Sequence, residues 1–312
     1  MQLVRGLYNL PSKKRGCVLT VGNYDGVHLG HQHMIEVLKR RAAELGCTAT
    51  VLAFEPSSKE FIDPVGAPAR LTRWREKYLL LRALGVARLV TLPFDEQMRA
   101  MSPQRFVDEL LVDALGARHL VVGDDFRYGS HAAGTIDSLR AAGHARGFSV
   151  EQIPPFVADG VRVSSTAVRE RLEQGDYDGA ARLLGRRYRM MGRVVHGKKL
   201  GRTLGFATAN LRLLRRKSPL CGVLAVRVYG IGVEPRDAVA SLGTRPTVDG
   251  VEPLLEVHVF DFAGDLYGRP IEVEFVAKLR DEVKFDSLDS MTAQMRLDAD
   301  RARELLSRVA SD

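Results

Sequence analysis

The sequence predicts a two-domain α/β protein: a parallel-sheet domain over residues 1–186, then a smaller β-barrel with a terminal helix over residues 187–312. Three observations carry this. The chain has 312 residues, too many for one ordinary core and enough for two. Its first half alternates apolar β-rich runs with helical patterns, and its second half is mostly alternating strands punctuated by glycine and proline.

In the first half the strand-like runs are "CVLTVG" (17–22), "TATVLAF" (48–54), "ARLVTLPF" (87–94), "HLVVG" (119–123) and "FSVEQI" (148–153). Helical patterns lie between them at 31–46, 73–85, 102–116 and 135–147. Ser102 followed by Pro103 reads as an N-cap with proline at the first helical position, and glycine ends each of these four patterns. Strands that are apolar nearly throughout belong to a parallel sheet covered on both faces. Ligands of such sheets sit beyond the carboxyl ends of the strands. The pattern changes near "GDYDGAARLLGRRY" (175–188). After it come "RYRMMGRVVHG" (187–197), "LAVRVYGIG" (224–232), "DAVASLG" (237–243), "LLEVHVFDF" (254–262) and "PIEVEFVAKL" (270–279), several of them with the period of two of half-buried antiparallel strands. A helix over roughly 287–309 closes the chain.

Composition excludes several classes. Hydrophobic residues make up 45% and charged residues 27%, as in an ordinary globular protein. No run approaches the ~18 apolar residues of a membrane helix, and the first residues lack a signal peptide's apolar core, so the expectation is a cytoplasmic protein. Cys17, Cys47 and Cys221 are scattered, which argues against a disulfide framework or a zinc site, and Cys17 in its apolar run reads as a small buried hydrophobe. The net charge of +8 raises the question of nucleic acid. The densest basic run, "LRLLRRKSPL" (211–220), has no interleaved aromatics for base stacking, so a small anionic ligand is the better reading.

"GNYDGVHLGHQ" (22–32) joins a buried strand to a helix beginning near Gly30. Free backbone N–H groups and the positive end of a helix dipole gather at such a place and suit a phosphate. Gly22 and Gly26 let backbone approach a ligand, and His28 and His31, three apart, face the same way and donate to phosphate oxygens. The competing reading is a glycine turn with two surface histidines. A metal site fails for want of a third ligand. In "VRVSSTAVRERL" (161–172), Ser164, Ser165 and Thr166 cap a helix with Arg169 one turn in, which is a second phosphate-facing helix start or merely a good cap. "VVGDDFRYG" (121–129) is a strand end carrying Asp124 and Asp125.

H-x-G-H after a first strand resembles the nucleotidyltransferase superfamily. With "GDDFRYG" and "SSTAVR" in this order, the first half resembles the adenylyltransferase domain of prokaryotic bifunctional riboflavin kinase/FAD synthetases. The resemblance continues through "GRVVHGKKLGRTLGFATANL" (192–211), "SLGTRPTVDG" (241–250), "LLEVHVFDFAGDLYGR" (254–269) and "LRDEVKFDSLDSM" (279–291). It implies a Rossmann-like nucleotidyltransferase domain and a riboflavin-kinase barrel. The implied reactions are phosphorylation of riboflavin to FMN by ATP and adenylylation of FMN to FAD with release of pyrophosphate, and the implied cofactor is Mg2+.

The resemblance also distributes roles. His28 and His31 stabilise charge on the transferred phosphates. Gly22, Asn23, Asp25, Gly26, Asp125, Ser165, Thr166 and Arg169 hold nucleotide and flavin in the first domain. In the second, Gly197, Gly201 and Gly205 form a mobile flap, with Lys198, Lys199 and Arg202 as flap charges or solvated residues. Arg280 contacts ligand, Thr208 and Asn210 face the magnesium and phosphates, and Glu256 is the general base for the ribityl hydroxyl. Read from the residues alone, Glu256 is as well described as an outward-facing strand carboxylate. "GRVVHGKK" (192–199) nearly matches a P-loop, but Lys199 replaces the magnesium-binding hydroxyl and no helix pattern follows, so a Walker site is rejected.

Three departures stand out. Tyr24 replaces a phenylalanine in the glycine loop. Ser58 replaces a proline after the second strand, which leaves that loop freer. Ala207 replaces the proline of a Pro-Thr-Ala-Asn element, which loosens the Thr208–Asn210 geometry and alters kinetics without abolishing activity. A second reading keeps only the kinase, with the first domain a regulatory nucleotide- or flavin-binding module. A third, a basic nucleic-acid-binding protein, lacks its basic-aromatic face. No nucleic acid, membrane or obligate protein partner is inferred.

Overall fold

The computed structural model describes residues 1–10, 16–197, 205–247 and 250–309, with backbone alone at 245–247 and 250–251. The chain forms two compact units: Met1–Pro68 with Trp74–Val163, and Ala69–Arg73 with Ser164–Asp312.

The first unit carries strands β1 (Gln2–Arg5), β2 (Cys17–Val21), β3 (Thr48–Phe54), β4 (Arg88–Leu92), β5 (Ala117–Gly123) and β6 (Ser149–Ile153). Helices α1 (Leu29–Glu44), α2 (Ser58–Ile62), α3 (Trp74–Ala83), α4 (Glu96–Arg99), α5 (Pro103–Arg105) and α6 (Ile136–Arg146) alternate with them, and a small hairpin pairs β7 (Val157–Ala158) with β8 (Val161–Arg162). Strands β1 to β6 form one sheet in the order β1-β4-β3-β2-β5-β6, and every pairing is parallel. The order turns at β2, with β3 on one edge and β5 on the other, and sheets of this kind take ligands beyond the carboxyl ends of the strands at such a turn.

Successive strand residues serve opposite faces. Val18, Val51, Leu89 and Val121 pack with α1 and Leu81, while Leu19, Leu52, Val90 and Leu120 pack with Phe106, Leu110 and Leu139. Covering both faces is why these strands read as continuous apolar runs. Cys17 is fully buried, and burial pushes its thiol up to about 11.

Helix ends follow the sequence signals. Ser102 caps α5 by accepting from the Arg105 N–H, and Pro103 opens it. The expected helix over 102–116 is α-helical only at its start; Phe106–Ala114 continue in π-helical form. The short elements β1, β7, β8, α2 and α4 are too brief to show a periodicity. The segment after β3 is not loose at Ser58: Ser57 and Glu60 form a capping box that starts α2 there.

The second unit opens with α7 (Ser165–Glu173) and α8 (Tyr177–Leu184). Strands β9 (Arg189–Val195), β10 (Ala209–Arg212), β11 (Gly222–Tyr229), β12 (Arg236–Thr247), β13 (Gly250–Val259) and β14 (Pro270–Arg280) close into a barrel in the order β10-β13-β12-β11-β14-β9. Helix α9 (Leu288–Arg308) packs Ala299, Ala302 and Leu306 against Val223, Val239 and Val276. Segment Ala69–Arg73 belongs here through its carbonyls. Arg169 Nε donates to Ala69 O at 2.6 Å, the Tyr188 hydroxyl to Leu71 O at 2.8 Å, and Arg215 to Arg70 O.

One buried charge braces the barrel. Glu274 on β14 has no solvent exposure, and its Oε2 accepts from Arg189 Nε at 2.7 Å and from the Tyr229 hydroxyl at 3.1 Å. The Arg189 guanidinium lies 3.9 Å from the Tyr229 ring centroid. Removing Glu274 takes the buried acceptor from the Tyr229 hydroxyl and from Arg189, although Arg189 keeps Glu272 at 3.5 Å. Glu274→Ala is therefore expected to destabilise the second unit by about 1–3 kcal/mol, read by denaturant unfolding. A loss under about 1 kcal/mol would show that the pair is not needed.

Candidate active sites

In the first unit, residues 22–28 leave the carboxyl end of β2 and enter α1. The turn contains three residues with left-handed backbone: Tyr24 (φ 49°), Gly26 (φ 83°) and Val27 (φ 44°). Glycine adopts this freely, but a β-branched valine does so only under constraint. The constraint is burial, since Tyr24 and Val27 are each 1% exposed. Such strain costs about 1–3 kcal/mol per residue, and burying a large apolar side chain returns a similar amount.

The phenol of Tyr24 reaches back into the sheet. Its oxygen lies 2.6 Å from Thr20 Oγ1 on β2 and 3.3 Å from Met34 Sδ on α1. Burial raises its pKa, so it stays a neutral hydrogen-bonding group. Tyr24 therefore packs the loop, and its ring lies against His31 with centroids 4.9 Å apart. Gly22 passes close to this ring: a Cβ there would lie 3.2 Å from Tyr24 Cε2.

His28 is the N-cap of α1, and its Nδ1 accepts from the His31 N–H at 3.4 Å. That bond needs an unprotonated Nδ1, which leaves Nε2–H as the donor. The His28 and His31 rings stack at 3.7 Å with planes 19° apart. Two imidazolium rings that close repel. Burial, then the charges of His28 and Lys77, hold His31 well below the ordinary imidazole value. The spacing of the two histidines thus yields one face of stacked rings at the positive end of a 16-residue helix. Gly30 fits beneath them, since a Cβ there would lie 3.3 Å from the His28 ring.

Asn23 and Asp25 lie in this turn and are partly buried. Asp124 and Asp125 follow β5, the strand beside β2. Arg162, which the sequence did not single out, holds Asp124 at 2.9 Å and approaches Asp125 at 4.0 Å. Asp125 itself is exposed. Ser165, Thr166 and Arg169 open α7, capped by Ser164, in the second unit. Lys77 beside His31 was also missed; in "RWREKYLLLRALG" it looks like any surface helix lysine.

In the second unit, Asn210 pairs with Glu256 across β10 and β13, and Glu256 pairs with Ser241 across β13 and β12. Leu255 and Val257 are fully buried, while Glu256 and His258 sit on the other face and are partly exposed. That outer face is not open surface. It lines a cavity of about 540 Å³ together with Thr208, Arg280, Phe285, Met291 and Met295. A second cavity, of about 510 Å³, is lined by Ala207, Thr208, Phe262, Asp265 and Tyr267. Thr208 is in the wall of both.

Gly197 comes up against Asn210, where a Cβ would lie 2.4 Å from Nδ2. Any side chain at 197 would displace the amide, which is in a residue only 8% exposed. Gly205 has φ 80° and open space beside it. Gly201, Lys198, Lys199 and Arg202 lie outside the described residues. Arg280 is anchored rather than free: Nε and Nη2 grip Asp298 of α9 at 3.0 and 2.7 Å, and Nη1 donates to Asp281 O at 2.9 Å. The cavity also holds Glu282, whose Oε1 accepts from Ser241 at 2.6 Å. A Cβ on Gly243 would fall 2.1 Å from Glu282 Oε2. Neither Ser241 nor Glu282 was singled out from the sequence; the side-chain hydrogen bond that joins them spans 41 residues.

No group of three or more His, Cys, Asp or Glu side chains able to hold a metal occurs among the described residues. No described helix is long and apolar enough to cross a membrane.

Comparison with known families decides the reading. Residues 10–167 match the FAD synthetase family model, and residues 184–306 match the riboflavin kinase model. The chain belongs to the bifunctional riboflavin kinase/FMN adenylyltransferase family. It is 49% identical to the Pseudomonas fluorescens member over 306 residues, covering 98% of each chain, and 44% identical to the Haemophilus influenzae member, covering 97% of this chain and 98% of that one. A Streptococcus pneumoniae crystal structure described as a macrolide-efflux protein shares the fold, with a TM-score of 0.80 at 30% identity over 97% of this chain and 99% of that one. Both halves of the family pattern are thus present in one chain, in the order the motifs indicate.

The depressed His31 fixes a pH dependence. The unfolded chain, with an imidazole near ~6.5, binds more protons than the folded unit just below that pH. Stability is therefore full above about 6.5 and falls as pH drops below it, until the folded value is reached. His31→Gln is expected to flatten this decline in melting temperature between about pH 5 and 6.5. An unchanged slope would exclude His31 as its source.

Proposed function

We propose that this chain makes FAD from riboflavin in two ATP-dependent steps at separate sites. The observation that carries the kinase assignment is Thr208, shared by two cavities, with Glu256 in one of them. The cavity with Phe285, Met291 and Met295 has the apolar walls a flavin ring needs, and the carboxylate and arginine suit its polar ribityl chain. The neighbouring cavity, with Phe262 and Tyr267, takes the nucleotide. Phosphate and hydroxyl then meet at Thr208.

In that step Glu256 accepts the proton of the ribityl 5′-hydroxyl as its oxygen bonds to the γ-phosphorus, and the bond to the β-phosphate oxygen breaks to release ADP. Thr208 and Asn210 supply oxygen donors of the kind Mg2+ prefers, and the close approach of Gly197 to Asn210 leaves that corner free of side chains. Mg2+ bound there would offset charge on the phosphates. Gly197 and Gly205 would border the nucleotide, and Arg280 would line the flavin side from its anchor on Asp298.

At the first site an FMN phosphate oxygen attacks the α-phosphorus of a second ATP, and the α–β bridging bond breaks to release pyrophosphate. No covalent enzyme intermediate is required. His28 Nε2–H, His31, the α1 amides, Asn23 and Asp25 hold and orient the phosphates, and Gly22 and Gly26 give the backbone access. Asp125, Ser165, Thr166 and Arg169 contribute nucleotide or flavin contacts. We place the functional boundary at 186/187, so that α7 and α8 belong to the adenylyltransferase, and we place the enzyme in the cytoplasm, acting on small molecules without nucleic acid, membrane or protein partners.

The two activities should separate by mutation. His28→Ala with His31→Ala is expected to lower FAD formation at least ~100-fold while riboflavin phosphorylation persists, the scale of lost transition-state donors. Chromatographic separation of FMN and FAD formed from riboflavin, ATP and Mg2+ reads both. Equal loss of the two activities in folded protein would refute the assignment. FMN as the sole product of the unmodified chain would instead favour a kinase with a regulatory first domain.

A further inference from the structure

We infer that His258 is a positioning residue of the kinase site, holding the backbone that presents Thr208. This rests on the reading of Thr208 and Glu256 above. The ladder joining β10 to β13 begins at Ala209↔Val257, so Phe206, Ala207 and Thr208 precede the first paired position. They nonetheless form walls of the two cavities. His258, two residues beyond Glu256 and on the same face of β13, reaches across: its Nδ1 lies 2.9 Å from the carbonyl oxygen of Ala207.

A carbonyl only accepts, so Nδ1 carries the proton. The bond survives in both charge states of the ring, because the neutral tautomer it selects and the imidazolium both donate from Nδ1. The ring is itself held between aromatic neighbours, with centroids 5.0 Å from Phe206 and 5.8 Å from Phe260. Ala207 lacks the fixed φ of a proline, so the carbonyl contact adds to the packing of Phe206 on the barrel core in restraining this segment. Held there, Thr208 keeps one position towards both cavities, and a small displacement at such a point costs rate more than binding.

His258→Phe keeps an aromatic ring between Phe206 and Phe260 but removes the donor, whereas the Asn amide of His258→Asn places an N–H where Nδ1 stood. His258→Phe is expected to lower kcat for riboflavin phosphorylation about tenfold, the scale of one hydrogen bond appearing in the barrier. Riboflavin affinity, read by quenching of flavin fluorescence, should stay within about twofold, and FMN adenylylation should be unchanged. His258→Asn should recover most of kcat. Wild-type kcat in His258→Phe, or equal loss in the Phe and Asn variants, would overturn the inference. Should His258→Phe not fold, His258→Ala compared with His258→Asn makes the same decision. Glu256→Gln in the same assay tests the underlying reading: if it phosphorylates riboflavin at the wild-type rate, the site assignment fails, whereas its inactivity beside a fully active His258→Phe removes only the role of His258.

Discussion

Strand β13 buries Leu255, Val257 and Val259 and leaves Glu256 and His258 between them on the outer face. Both edges of the strand are paired, to β10 and to β12, so its register is fixed from two sides. A slip of one residue would turn Glu256 into the barrel interior, where an unpaired carboxylate is costly, and would bring two valines and a leucine out. The alternation of this strand therefore sets which side chains face the larger cavity. Val239, Ala240 and Ser241 of β12, Arg280 of β14 and Met291 and Met295 of α9 then complete its walls.

In the first unit the comparable constraint is the exit from β2. The left-handed residues of that turn are tied to the core by Tyr24, whose hydroxyl meets Thr20 of the same strand. A tyrosine at this position thus anchors the underside of the loop through Thr20 and Met34. The helix that follows supplies the oriented amides, and the stacked rings sit at its first turn.

The fold was legible wherever periodicity runs long. Every long strand and helix of the first half was expected close to its observed bounds, because sheet strands covered on both faces leave a plain apolar signature. The strand-to-helix loop at 22–28 was legible because its neighbours in sequence, β2 and α1, are also its neighbours in space. Ser241, Glu282, Arg162 and Lys77 were not legible, since each acquires its partner through pairing between distant segments. Glu256 sits between these cases. Its strand was visible, but only the cavity against α9 distinguishes it from an ordinary surface carboxylate. The expected looseness at Ser58 failed for a local reason, a capping box one residue earlier.

The five residues Ala69–Arg73 pack with a unit whose other residues start at Ser164. Their carbonyls take hydrogen bonds from Arg169, Tyr188 and Arg215, which follow by 100, 117 and 145 positions. On a ribosome this segment emerges long before any of those donors exists. The first unit must therefore complete its sheet around a stretch of chain that awaits later partners, and the second cannot finish until that stretch is returned to it. A fragment beginning at Ser164 would lack these acceptors, and Arg215, only 5% exposed, would keep its charge without the carbonyls that solvate it. Because of these five residues, no single cut divides the chain into its two compact units.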